Sequence, residues 1–405
     1  MNCCSCLCGA TSGIENQALQ IDGVGGNVKL FSHKELKAAT ANFNPGNKVG
    51  AGGFGSVYKG TLKNGANVAV KVLSSESTQG AREFLSEIAA ISEISHENLV
   101  KLYGACIEGN HRMLVYNYLE NNSLAQTLLG TNRSNIQFSW GTRRKICVGI
   151  ARGLEFLHEE VEPHILHRDI KASNILLDKD LTPKISDFGL AKTLPPNATH
   201  VSTRVAGTAN KYDILVHSFP SNKLLLLFYL EDTWLQYAVR GQVTKKSDIY
   251  SFGVLLLEIV SGRCNTNTRL PYEEQFLLDR TWALYEKGEL ERIIDATMSE
   301  DLDMEEACRF LKVGLLCTQD TSTLRPSIST VLKMLTGEKA VESIRITKPG
   351  LISDLAVMKI TGKKPGDFPV SSSYTASSNA EYSGSTAYST MTLTAIGEQG
   401  DTSFL

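Results

Sequence analysis

No apolar run in this 405-residue chain is longer than seven residues, the longest being Leu224 to Leu230. A bilayer-spanning helix needs about 20, so none is expected here. No basic start followed by an apolar stretch opens the sequence, so a secretory signal is not expected either. Charge of one sign is also missing: 41 basic against 43 acidic residues leave a net charge of −2. That balance lacks the broad basic surface of nonspecific nucleic-acid binding, and no nucleic-acid partner is expected. A disulfide frame is absent as well. Cys106, Cys147, Cys264, Cys308 and Cys317 are scattered through segments rich in Leu, Ile and Val, the pattern of reduced core thiols. What is present suffices for a core. The chain is 42% hydrophobic and 21% charged, and its length suggests about two or three units.

The remaining four of the nine cysteines, Cys3, Cys4, Cys6 and Cys8, crowd the first eight residues. They are too close together to wrap one zinc ion, and no second ligand pair follows. S-acylation at Cys3, Cys4 and Cys6 fits better, because one acyl chain anchors only marginally and several adjacent chains anchor durably. Asn2 excludes N-myristoylation. Residues 1–30 are therefore expected to be a flexible membrane-anchor segment, with an unmodified tail as the alternative. The expected location is the cytoplasmic face of the plasma membrane, or the cytoplasm. At the other end, 13 of the 24 residues from Ser371 to Thr394 are Ser or Thr. Such a stretch cannot bury enough apolar surface to offset its ordering entropy. Residues 339–405 are expected to be a disordered tail.

Between the ends lies Gly50-Ala51-Gly52-Gly53-Phe54-Gly55-Ser56-Val57. Its glycines let a backbone press close to phosphate oxygens, although the pattern alone is weak. A strand through Val57-Tyr58-Lys59, an Asn64-Gly65 hairpin and a return strand Val68-Ala69-Val70-Lys71 argue against the dinucleotide fold, in which such glycines open a helix. Lys71 on the return strand can reach the phosphates, and a buried lysine needs a partner. Residues 82–94 have helical spacing. Glu87 lies beside their apolar stripe and is expected to pair with Lys71, whereas Glu83 and Glu93 are read as solvated.

The strongest signal is His167-Arg168-Asp169-Ile170-Lys171-Ala172-Ser173-Asn174, followed by Asp187-Phe188-Gly189. Asp169 can accept the proton of an attacking hydroxyl. Asn174 and Asp187 offer hard oxygen ligands to Mg²⁺, and Lys171 can screen a transferring phosphoryl group. Both motifs, in this order and downstream of the glycine loop, are not expected by chance.

On these motifs the chain resembles the eukaryotic protein kinases. More narrowly, it is similar to the plant receptor-like cytoplasmic kinases of the cold-responsive protein kinase type. The narrower likeness rests on Phe31-Ser32-His33-Lys34-Glu35-Leu36, Ala39-Thr40-Ala41-Asn42-Phe43, His96-Glu97-Asn98-Leu99-Val100-Lys101-Leu102-Tyr103-Gly104 and Ser247-Asp248-Ile249-Tyr250-Ser251-Phe252-Gly253-Val254. The resemblance implies an α+β bilobal fold: a flank at 31–42, then a kinase domain at 43–338. Within it, a small β lobe at 43–116 and a hinge at 117–120 precede a helical lobe at 121–338. It implies serine/threonine kinase activity with ATP and Mg²⁺, protein substrates, and a membrane receptor kinase upstream. The implied nucleotide-binding set is Val49 through Val57 with Lys71, Glu87 and the Leu119 backbone, with Tyr116 as gatekeeper. Arg168 before Asp169 implies an activation segment ordered by phosphate on Thr199, Ser202 or Thr203, with Thr208 a further acceptor. Asp248 is expected to brace the catalytic loop.

One segment departs from the family pattern. The family's Ala-Pro-Glu is absent, and 27 residues from Asn210 to Gln236 stand where about six are usual. The lost glutamate ordinarily pairs with an arginine, here Arg325. Leaving one member of a buried pair alone can cost about 3–5 kcal/mol, and nothing in the sequence fixes Glu231 as a substitute. An ATP-binding pseudokinase scaffold is the alternative reading. Such an abrupt change of composition between matching flanks suggests a gene-model or splicing origin, such as a retained intron read in frame, with an evolved insertion as the alternative.

Overall fold

The computed structural model describes residues 28–350 except 53–54, 74–77, 131–135, 197, 203–241 and 299–300. The Cys3, Cys4 and Cys6 sites, the insert at 210–236 and residues 351–405 therefore lie outside the described residues.

The chain enters through a short strand, β1 (Lys29–Leu30), and a helix, α1 (His33–Ala39). Ser32 stands three residues before Glu35, and the two cap each other. Ser32 Oγ accepts from the Glu35 N–H at 3.2 Å, and Glu35 Oε2 accepts from the Ser32 N–H at 2.9 Å. Next come β2 (Lys48–Gly52), β3 (Gly55–Thr61), β4 (Asn67–Leu73), α2 (Thr78–Ile91), β5 (Leu102–Glu108) and β6 (His111–Asn117). Asn64-Gly65 makes the expected turn between β3 and β4, with Gly65 at φ +83°. The six strands form one sheet in the order β1-β5-β6-β4-β3-β2, antiparallel except for β1 beside β5.

Period-two alternation divides the two faces of this sheet. Val68, Val70, Met113 and Val115 meet Phe31 and Leu36 of the flank. Leu73, Ala105, Leu114 and Tyr116 join Phe84, Ile88 and Ile91 of α2 in the main core. Full burial of Phe31 and Leu36 contributes about 1.5–3 kcal/mol each, so the flank is part of the small lobe's packing.

Beyond the hinge follow α3 (Leu124–Thr127), α4 (Trp140–Glu155), a wide turn Phe156–Glu160, β7 (Ile165–Leu166), β8 (Ile175–Leu177), β9 (Pro183–Ile185), β10 (Lys192–Thr193), β11 (Val201–Ser202), β12 (Gln242–Val243), α5 (Lys245–Ser261), α6 (Leu277–Lys287), α7 (Met304–Cys317) and α8 (Ile328–Leu335). Helix α5 is apolar nearly all round and accordingly sits inside the lobe. Short antiparallel pairs, β7 with β10, β8 with β9 and β11 with β12, hold the loops between α4 and α5. Among the described residues no helix is long and apolar enough to cross a membrane.

The expected domain end at 338 falls short of the packed chain. Residues 339–350 lie against the large lobe, with Val341 and Ile346 buried. The apolar residues at 341, 344 and 346 supply what the Ser/Thr-rich stretch lacks.

Gly104 is where the flank meets the sheet. A Cβ there would stand 2.1 Å from Lys29 O and 2.6 Å from the Phe31 ring. Gly104→Ala is expected to lower stability by about 1–3 kcal/mol through overpacking and to speed amide exchange across residues 29–36. Denaturant titration and hydrogen exchange measure the two effects.

Candidate active site

The β2–β3 hairpin places Gly50 opposite Val57, Ala51 opposite Ser56 and Gly52 opposite Gly55. Gly53 and Phe54, at its tip, lie outside the described residues. Gly55 has φ +149°, and a Cβ there would lie 2.0 Å from Val72 O. Only glycine lets the hairpin close on β4 at this point.

Strand alternation turns Lys71 away from Val70 and toward α2. Its Nζ stands 2.9 Å from Glu87 Oε2 and 2.7 Å from Asp187 Oδ1. Burial acts to lower the ammonium's pKa, but the two carboxylates outweigh it and raise the value above that of an ordinary lysine. Burial likewise acts to raise Asp187, and Lys71 holds it below its usual value instead. Both groups therefore stay charged at neutral pH. The Tyr116 hydroxyl donates to Glu87 Oε1, so Glu87 is held from two sides. Burial and the adjacent Glu87 push the Tyr116 phenol well up, which keeps it a donor.

The catalytic loop hangs from one carboxylate. Asp248, in the first turn of α5, is 1% exposed. Its Oδ2 accepts from the His167 N–H at 2.8 Å, and its Oδ1 accepts from the Arg168 N–H at 2.7 Å. His158 Nε2 lies 2.8 Å from Oδ2. Burial alone would raise the Asp248 pKa, but the bonds from His158 and the Arg168 backbone bring it below the ordinary value. Arg168 is thereby held at φ +72°, and its guanidinium donates to Leu190 O at 3.1 Å. His167 Nδ1 accepts from the Asp169 N–H at 3.2 Å, so the ring proton sits on Nε2, 3.1 Å from Ser186 O.

Asp169 is then fixed by its neighbours. Asn174 Nδ2 donates to Asp169 O at 2.9 Å and to Oδ2 at 2.7 Å, and Lys171 Nζ stands 3.0 Å from Oδ1. Asn174 uses its amide nitrogen for Asp169 and so keeps its Oδ1 for other partners. Asp187, at φ +67°, has a second carboxylate oxygen beyond the one bonded to Lys71. Carboxylate and amide oxygens of this kind are the hard donors that would suit a divalent cation such as Mg²⁺.

A protein kinase domain model matches residues 43–335. The chain belongs to the protein kinase family. It is 60% identical over 351 residues to Cold-responsive protein kinase 1 of Arabidopsis thaliana, covering 85% of each chain. Two probable LRR receptor-like serine/threonine-protein kinases of the same plant are each 48% identical across 84% of this chain, which spans only 30% and 31% of their lengths. The enzyme is a protein serine/threonine kinase with ATP as its phosphoryl donor, and its small β lobe and helical lobe are those of the family.

Around this kinase centre three readings from sequence need correction or addition. Glu83 is buried, not solvated: it lies four residues before Glu87 on the same helical stripe and packs against Gly189. Spacing alone signalled this, since residues four apart share a face. His158 was not foreseen. It ends an apolar helical stretch and reads there as an ordinary core histidine. Arg325 is not left alone. It donates to Gln319 O at 2.7 Å, Lys246 O at 3.1 Å and Asp320 O at 3.2 Å, and lies over the Tyr250 ring. Leu119 is half-buried in the hinge and Val49 half-buried in β2. The Thr199 hydroxyl is exposed, 3.2 Å from His200 Nδ1. The Ser202 backbone lies in β11, while Thr203, Thr208 and Glu231 lie outside the described residues.

Asp248→Asn is expected to cost about 3–5 kcal/mol at neutral pH by breaking a buried charged network. A carboxylate with a depressed folded pKa stabilises above the unfolded value, about 3.9 for Asp, and loses that contribution as pH falls through the folded value. The variant should therefore show a shallower acid-side decline below about pH 4. Denaturant titration across that range checks both expectations.

Proposed function

We propose that this kinase transfers the γ-phosphoryl group of Mg-ATP to serine and threonine hydroxyls of signalling proteins, at the cytoplasmic face of the plasma membrane. The observation that carries the reading is the Lys71 ammonium held between Glu87 and Asp187, together with the separate contact set of Asp169, Lys171 and Asn174. In this reading the backbone from Val49 to Val57 covers the phosphates, Lys71 holds them, and the Leu119 backbone meets adenine. Asn174 Oδ1 and Asp187 would hold Mg²⁺, which when bound would supply positive charge against the phosphates.

The acceptor hydroxyl oxygen forms a bond to the γ-phosphorus as the bond to the β–γ bridging oxygen breaks, and ADP leaves. Asp169 takes the hydroxyl proton, and Asn174 orients its carboxylate through Oδ2. Lys171, beside Oδ1, offers positive charge to the transferring group. Phosphate on Thr199, Ser202, Thr203 or Thr208 would pair with Arg168 and order the segment. Acyl chains on Cys3, Cys4 and Cys6 would tether the kinase beside a receptor kinase upstream, a partner in keeping with its receptor-like relatives.

Replacing Asp169 by Asn should lower autophosphorylation about 10²–10⁴-fold, the range for loss of a general base, while magnesium-dependent ATP binding persists. Radiolabel incorporation and calorimetry separate the two. Equal, negligible incorporation by both proteins would favour the scaffold reading that the insert raises.

A further inference from the structure

Beyond residue 335, where the match to the kinase domain ends, the chain packs on the large lobe through Val341 and Ile346, and its hydrogen bonds gather around one buried side chain. Gln319, 2% exposed, accepts at Oε1 from both the Thr347 N–H (3.0 Å) and the Thr347 hydroxyl (2.8 Å). Its amide nitrogen donates to Leu316 O and Leu324 O, each at 3.0 Å. The other ties of this strap go to the same place. The Asp320 N–H donates to Lys348 O at 3.2 Å, the Gly350 N–H donates to Thr318 O at 3.2 Å, and the Tyr250 hydroxyl donates to Gly350 O at 2.9 Å.

These are the residues that frame Arg325. The carbonyls of Gln319 and Asp320 accept from its guanidinium, and the Tyr250 ring lies beneath it. Arg325 in turn grips the start of α5: Nη1 donates to Lys246 O at 3.1 Å, and Lys246 Nζ donates back to Arg325 O. Two residues on, Asp248 holds the His167 and Arg168 amides. Just before that turn, β12 pairs with β11 of the activation segment. One helical turn is thus the footing of both the catalytic loop and the activation segment. The strap reaches it through Gln319 and Arg325.

We propose that residues 341–350 are a positioning element for the protein-substrate side of this kinase, with Thr347 as the fastening residue. Without the Thr347 hydroxyl, Gln319 Oε1 keeps a single donor in a buried setting, and the strap's hold on the 318–325 loop is weaker by one hydrogen bond. The strap makes none of the contacts that hold Lys71, so nucleotide affinity is independent of it.

The test uses the full chain with Thr347→Val, of similar shape but lacking the hydroxyl, and Thr347→Ser, which restores it. Native-state hydrogen exchange is the first readout. Thr347→Val should speed exchange about three- to tenfold, the equivalent of one net hydrogen bond, in residues 318–325, 243–250 and at Arg168. Exchange in α4 and β6, and ATP affinity by calorimetry, should not change. The KM for casein as a generic protein substrate should rise by a similar factor with the KM for ATP unchanged, and Thr347→Ser should match the wild type in each assay. Wild-type exchange in Thr347→Val, a uniform increase across the chain, or a Thr347→Ser variant that behaves like Thr347→Val would overturn the proposal. Exchange does not require turnover, so the coupling of the strap to the 318–325 loop and the start of α5 is decided even if the chain transfers no phosphate, and an unchanged casein KM in an active Thr347→Val protein would overturn the substrate-side role.

Discussion

A buried ammonium must be matched by carboxylates, and Lys71 draws its two from different lobes. Glu87 comes from α2 in the small lobe and Asp187 from the segment after β9 in the large one. Removing either would leave charge in a site where only 13% of the lysine side chain meets solvent. The rest of the cleft follows from this requirement. Helix α2 must lie with its Glu83–Glu87 stripe toward the Phe188–Leu190 turn, and Asp187 must accept a left-handed backbone to present its oxygen. The Tyr116 hydroxyl holds the remaining Glu87 oxygen and so helps to fix the helix.

A second constraint governs the large lobe. Asp248 is nearly out of contact with water, and its oxygens are satisfied by two backbone N–H groups and a histidine. Those donors belong to the wide turn after α4 and to the loop carrying His167 and Arg168, so one carboxylate on α5 sets three segments against each other. Asp169 inherits its position from this arrangement: its own N–H is held by the ring of His167, and its carboxylate is oriented by Asn174 and Lys171. Asp169 is thus set by its backbone N–H on one side and by the Asn174 and Lys171 contacts at its two carboxylate oxygens on the other.

The packed unit is longer at both ends than the 43–335 match. At the front, Phe31 after β1 and Leu36 of α1 cover one face of the sheet, which the strands alone would expose. At the back, the strap closes over Tyr250 and Gln319. Each addition satisfies groups of the domain itself and meets it at residues with little room to change, Gly104 in front and Gln319 behind.

Much of the centre was legible from order and spacing. The glycine hairpin, Lys71, Glu87, the Asp169–Asn174 loop, Asp187 and Asp248 carry residue types whose chemistry is specific, and their succession along the chain is itself informative. Asn64-Gly65 marked its turn and Ser32 with Glu35 marked a helix start, because turns and caps are satisfied by neighbours a few residues away. Tertiary structure alone decided which groups share a buried charge or hydrogen bond across large separations. The Tyr116 hydroxyl on Glu87, His158 on Asp248, the carbonyl cage of Arg325 and the fastening of Thr347 to Gln319 all join residues whose order implies no contact. Local pattern reports how a backbone turns and which face is apolar. The partner of a buried polar atom is chosen by desolvation in the assembled core, and that choice exists only once distant segments are packed together.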